Sequence, residues 1–232
     1  MLNQIPLIDW IALILFIGIW VAYTWFADHS RWSEKSLPSA MNFHRHRWMC
    51  EVLKREVRVP DVIVMGNFVH SAVFFASTAI LIVGGLIAAL GASDKALEAI
   101  TSLPFVSTAT LELWGLKVAS AIMVFIYAFV KFIWAVRLAN YSSILFSAAP
   151  FNAGKYNEEY AVELGNMISL FGIHFNQGLR ANFFALAILT WWINPHIFIT
   201  STVMVLYVLY RREFRSKSLR AVIQLKQIAS KK

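Results

Sequence analysis

The chain has 232 residues and a mass of 26.4 kDa, with 59% hydrophobic residues, 15% charged residues and a mean hydropathy of +0.60, whereas a soluble domain carries about 25% charged residues. Only His70 is even weakly ionisable between Asp61 and Asp94, and nothing is charged between Arg180 and Arg211, so these stretches read as bilayer spans rather than as elements of a water-soluble core. The length accommodates one integral membrane domain over residues 1–232 and leaves no room for a separate soluble catalytic domain, while the net charge of +8 and pI near 9.7 come from basic residues beside the apolar runs, which points to anionic lipids and away from nucleic acid.

The first span covers Pro6 to Ala27, about 33 Å at 1.5 Å per residue, which matches the roughly 30 Å hydrocarbon layer. No Lys or Arg precedes its apolar run, so it lacks the basic leader of a cleavable signal peptide and is expected to be retained. From Asp28 to Pro60 the chain is polar and rich in Lys and Arg, which places this loop in the cytoplasm. Within it Met41, Trp48, Met49, Val52, Leu53 and Val57 recur at helical spacing opposite most of the basic residues, and a basic amphipathic helix on the membrane surface is expected, capped by Ser39 and stopped by Pro60. The lone cysteine, Cys50, excludes an intrachain disulfide.

The second span, Asp61 to Ala92, is longer than one crossing requires and must tilt or project beyond the lipid. Its pairs Gly84/Ala88 and Gly85/Ala89 suit close approach of another helix, and an oligomer built through such faces is expected. The segment Ser93 to Leu113, acidic through Asp94, Glu98 and Glu112, suits the external side. The third span, Trp114 to Arg137, holds Lys117 and Arg137, expected to snorkel from its two ends, and the deeper Lys131.

A second amphipathic segment, Lys155 to Arg180, precedes the apolar stretch Ala181 to Tyr210, which Asn194-Pro195 interrupts. One crossing here would put the basic tail, residues 211–232, outside, against the positive-inside bias; two crossings return it to the cytoplasm. Ala181 to Ile193 covers only about 20 Å, so the fourth helix must begin near Leu164 to Gly172. The expected fold is therefore an all-α polytopic bundle with two amphipathic helices on the cytoplasmic surface. Five spans with N-terminus out and C-terminus in are favoured, and a four-span bundle is the rival.

Sorting polar residues by depth brings Asp61, Asn67 and His70, then Lys131, Arg137, Asn140 and Tyr141, then His174, Asn176 and Arg180 to one level near the cytoplasmic side. Asn67, His70, Ser71, Ser77 and Thr78 form a stripe expected to face protein or trapped water. A pocket lined by these ten residues would carry excess positive charge. It would favour a phosphate or carboxylate, free or on a lipid headgroup, with Asp61 restraining one of the cations. The bland alternative is that the polar groups join helices and the cations snorkel. Haem between His70 and His174 is a third, weaker reading, since no CxxCH or HExxH occurs; no metal site and no cofactor is otherwise expected. No Gly-rich phosphate loop, GxSxG elbow or paired-carboxylate pattern assigns catalytic residues, and a non-enzymatic role is favoured.

Several ordered blocks carry a family resemblance. They are Arg45-His46-Arg47-Trp48-Met49; Asp61; Phe74-Phe75-Ala76-Ser77-Thr78; Lys131-Phe132-Ile133-Trp134 with Arg137 and Asn140-Tyr141; Ala148-Ala149-Pro150; His174 to Ala181; and Val208 to Phe214. Together they resemble the bacterial membrane proteins grouped as domain of unknown function 599. The resemblance implies a polytopic inner-membrane protein and carries no activity. Two functions compete: binding or passage of a small anionic solute or lipid headgroup, and a scaffold or accessory subunit whose basic loop and tail hold lipid or a partner protein.

Overall fold

The computed structural model describes residues 5–92, 110–149 and 156–229. The described residues are almost entirely helical: α1 (Leu7–His29), α2 (Leu37–Val52), α3 (Val59–Gly91), α4 (Leu111–Ala148), α5 (Tyr156–Leu189), α6 (Pro195–Phe214) and α7 (Lys217–Ala229), with short 3-10 turns at Ser33–Lys35 and Thr190–Trp192. Among the described residues α1, α3 and α4 are long and apolar enough to cross a membrane. The acidic loop expected outside, with Asp94, Lys95 and Glu98, lies largely outside the described residues, as do Lys155 and the last three residues of the tail.

Local chemistry sets the helix starts. The Ser36 side chain accepts from the Ser39 backbone N–H at 3.3 Å and caps α2, so the cap stands three residues before the expected Ser39. Pro38 fits because the first turn needs no amide donor, and Pro60 likewise begins α3 instead of stopping α2. Thr110 caps α4 through the Leu113 N–H at 3.3 Å, and Asn194 caps α6 through the His196 N–H at 2.8 Å.

The long central helix α4 packs between α3 and α5. Small side chains set that contact. Ala72, Ala76 and Ala79 of α3 meet a row on α4 that includes Ala121, Ala128 and Ala135, seven residues apart and fully buried, letting the backbones approach closely. Gly84 and Gly85 do not serve this contact: a methyl group on either would meet nothing within 4 Å. Helices α1 and α6 close the bundle from the other side through Phe16, which packs 5.1 Å from Phe198 and 5.9 Å from Phe184 of α5, and through Trp20 against Tyr127 of α4 at 5.2 Å.

At one end of the bundle α2 covers the tips of α3, α4 and α5. Its Met49 and Val52, with Leu53, are buried against Met65, Phe146, Leu164 and Ile168, so these apolar side chains, expected to lie on the membrane surface, meet protein. Arg58 ties the following loop down by donating to the carbonyls of Leu53 and Ala149 at 3.2 and 3.0 Å. The second amphipathic segment is no separate surface helix: it continues without a break through Arg180 to Leu189 as α5. The basic tail contains a helix that was not expected, α7, packed on α2 with His44 Nε2 3.2 Å from the Val222 carbonyl and Lys226 over the Phe43 ring. Because α2 and α7 sit here with the C-terminal ends of α1 and α6, this is the basic end of the molecule.

Candidate functional site

Two buried polar clusters lie near opposite ends of α1. At the far end Lys117, 1% exposed, donates to the Trp191 carbonyl at 2.9 Å and stands 3.9 Å from Asp9, whose Oδ1 accepts from Trp191 Nε1 at 2.7 Å. Lys117 therefore does not snorkel. Its charge stays inside the bundle because a carboxylate and a carbonyl replace water. Nineteen residues along α1, about 28 Å, comes Asp28.

Asp28 belongs to the cluster at the basic end, which Arg180 organises. Arg180 is 2% exposed and grips Glu213 in a fork, Nε to Oε1 at 2.8 Å and Nη2 to Oε2 at 3.0 Å, while Nη1 donates to Asp28 Oδ1 at 2.6 Å. Gln177 Nε2 donates to the other Asp28 oxygen at 2.7 Å, and the Tyr23 ring lies 5.9 Å from the guanidinium. A planar guanidinium is the group that can satisfy two carboxylates at once in so dry a place. The arrangement joins α1, α5 and α6 at a single point.

Beside this cluster opens a polar cavity of about 180 Å³ between the end of α1, the start of α2 and the middle of α5. Arg180 and Asp28 form part of its wall, with Asn176 on α5, Ser33 in the connecting turn, and Asn42 and Arg45 on α2. Arg45 Nη1 donates to Asn42 Oδ1 at 2.6 Å, and its guanidinium lies flat against Gly172, where an added Cβ would fall 2.6 Å from Nη2. Glycine is needed there for close approach, not for backbone freedom. Burial pushes the Arg45 guanidinium below the ordinary arginine pKa. Unlike Arg180, it has no carboxylate within ion-pair distance among the described residues. The cavity thus presents one neutralised arginine, one unneutralised arginine, and amide and hydroxyl groups.

Of the ten residues expected to share a pocket, Asn176 and Arg180 line this cavity. Lys131 and His174 do not line it. Lys131 lies over the Tyr127 ring at 5.3 Å, and His174 packs edge-on to Trp134 with Nδ1 buried and unpartnered. Asp61 is engaged elsewhere: it accepts from Trp48 Nε1 at 2.7 Å and from Arg55 Nη1 at 3.1 Å, so it restrains none of Lys131, Arg137 or Arg180. Arg137 donates to the Tyr141 hydroxyl at 2.6 Å, and both are exposed, as is Asn140. Asn67, His70, Ser71 and Ser77 also face outward, with Ser71 donating to the Asn67 carbonyl of its own helix, while Thr78, the last of that stripe, is half-buried and lines a cleft between α3 and α5. Asp28, Asn42, Arg45 and Glu213 were not singled out from the sequence. Arg45 and Glu213 lie in blocks that carry the family resemblance, which was the signal available.

The family model described as "Protein of unknown function, DUF599" matches residues 11–218. The chain belongs to this family. The match runs from the middle of the first turns of α1 into α7, so Asp28, Arg45, Asn176, Arg180 and Glu213 all fall inside the DUF599 region. No curated protein and no solved structure matches the chain.

Proposed function

We propose that this DUF599 protein is an integral membrane protein that binds, or passes, a small anionic group in the cavity between Arg45 and Arg180. The observation that carries the reading is Arg45: a partly buried guanidinium, without a carboxylate partner among the described residues, facing a polar cavity whose other arginine is already neutralised. A desolvated cation in that setting favours an anion. The volume of about 180 Å³ is below the roughly 300–1,000 Å³ of sites for drug-sized ligands, which restricts the guest to a phosphate or a short carboxylate, free or at the end of a lipid.

The orientation follows the same logic. Taking α1, α3, α4, α5 and α6 as five antiparallel crossings puts the Asp9–Lys117–Trp191 cluster near the outer face and the basic end, with the cavity, in the cytoplasm, as the excess of Lys and Arg requires. In this reading the membrane is a bacterial inner membrane. A second reading, a scaffold or accessory subunit, is favoured by α7, whose Leu225 and Ile228 stay exposed beside Lys217, Arg220 and Lys226, a pattern suited to an anionic lipid surface or a partner protein.

The test is thermal unfolding of the purified full chain in detergent with inorganic phosphate, succinate, glycerol phosphate and lysophosphatidic acid. Anion-dependent stabilisation of the wild type that Arg45→Ala abolishes supports the anion site. Stabilisation by the lyso-lipid alone identifies a headgroup, and stabilisation by phosphate or succinate identifies a free solute. An equal response of wild type and Arg45→Ala to every anion refutes the site.

A further inference from the structure

On the membrane-facing side of α4, α3 and α5 diverge and leave an elongated cleft of about 530 Å³. At its basic end it is lined by Phe75 and Phe175, part of a ladder of rings in which Phe75 stacks on Phe132 at 5.3 Å. Above the ladder the walls are hydrocarbon-like: Phe74 and Ile82 from α3, Phe125 from α4, Phe183 and Leu186 from α5. Phe74 and Leu186 are among the most exposed apolar side chains of their helices, so the cleft opens sideways, where a membrane chain meets lipid tails. Along α5 it extends from Phe175 to Leu189, about 21 Å, which exceeds the roughly 15 Å of hydrocarbon in one leaflet.

Besides Thr78, whose hydroxyl donates back to the Phe74 carbonyl at 2.9 Å, two polar groups line this greasy slot. Arg212 on α6 reaches across α5, its guanidinium 5.4 Å above the Phe183 ring. It forms no ion pair among the described residues, because the neighbouring Glu213 is held by Arg180. Asn182, one residue from Phe183, has a buried side-chain oxygen without a partner. No acidic residue lines the cleft. A cation fixed over an aromatic face, about midway along the α5 wall of an apolar, acid-free groove, matches the two-part chemistry of an anionic phospholipid.

We propose that this cleft is a binding site for one anionic phospholipid of the inner leaflet, its acyl chain lying between α3 and α5 and its phosphate on Arg212. The inference rests on the membrane orientation given above but not on the anion cavity, since Arg212 lines the cleft and not the cavity.

The experiment is native mass spectrometry of the delipidated full chain, titrated with phosphatidylglycerol and phosphatidylcholine of identical acyl chains. Wild type is expected to retain phosphatidylglycerol at least about fivefold more strongly, the factor one surface arginine supplies. Arg212→Gln should bring it to the phosphatidylcholine level, and Arg212→Lys should keep part of the preference. Leu186→Trp, which narrows the slot without touching charge, should weaken both lipids. Arg215→Ala, a neighbouring exposed arginine over Tyr210, should change nothing. Equal retention of the two lipids by wild type, or a preference that survives Arg212→Gln, overturns the site. Displacement of the lipid by glycerol phosphate at equal concentration overturns the acyl-chain part. Arg45→Ala should leave the lipid result intact, so failure of the anion cavity and failure of the lipid cleft are told apart.

Discussion

Replacing Glu213 by alanine removes both oxygens that hold the Nε and Nη2 edge of Arg180, in a place where the arginine side chain is 3% and the glutamate 8% exposed. Water cannot replace the lost acceptors there, so the surface-pair discount does not apply, and breaking a buried pair costs about 3–5 kcal/mol. Asp28→Ala removes a single bond to Nη1 and frees Gln177, with 14% of the aspartate side chain exposed; one bond to a charged group is worth about 1.5–3 kcal/mol. At about 2–4 °C per kcal/mol for a chain of this size, Glu213→Ala should lower the unfolding midpoint by roughly 6–20 °C, and Asp28→Ala by less. Because both acids act on one guanidinium, the double variant should depart from the sum of the singles. Arg180→Ala should make a further Glu213→Ala much less harmful than it is alone. The assay is tryptophan-fluorescence unfolding in detergent, run as a double-mutant cycle. A Glu213→Ala midpoint within 2 °C of wild type, or strict additivity of the cycle, refutes the claim that Arg180 is the joint.

The other expectations concern space and charge nearby. Gly178→Ala puts a methyl 2.7 Å from Phe132, a ring held by Phe75 and Phe175; with no room to shift, about 1–3 kcal/mol should be lost in the same unfolding assay. Gly84→Ala has open space on every side and should leave stability unchanged or raise it by up to about 1 kcal/mol. Gly172→Ala displaces the far end of Arg45, which can swing away, so a small stability change with a clear loss of phosphate-dependent stabilisation is expected. Lys117→Met keeps the volume but strips Asp9 of its cation and the Trp191 carbonyl of its donor; a midpoint drop corresponding to about 1–3 kcal/mol is expected.

Hydropathy located α1 and α3 to within a few residues, Pro6 to Ala27 against Leu7–His29 and Asp61 to Ala92 against Val59–Gly91, but ended the third span at Arg137 where α4 continues to Ala148 through more polar residues. Where periodicity changes inside one helix it misled. α5 is amphipathic while α2 and α4 flank it and becomes more apolar beyond Arg180, and a window sees two segments where the backbone has one. Prolines were ambiguous for a similar reason, since Pro38 and Pro60 stand in first turns, where a missing amide is harmless. Arg180 and Asn176 were legible because polar groups next to an apolar span demand an explanation. Their partners were not, because Asp28 and Glu213 look like ordinary interfacial acids and the Arg180–Asp28 bond joins residues 152 apart in sequence. Arg45 was hidden among neighbouring basic residues, and its place in the folded chain, against Gly172 and in the cavity wall, distinguishes it from the exposed Arg47.

The three-way joint at Arg180 has a consequence for biogenesis. During translation α1 enters the bilayer with Asp28 unmatched, and its arginine is not synthesised until much later. That arginine in turn keeps two donors idle until the end of α6 arrives. Nascent chains interrupted before Glu213 should therefore hold the first helix only loosely, leaving abortive products recognisable to proteases, whereas completion of α6 latches α1, α5 and α6 together in one step.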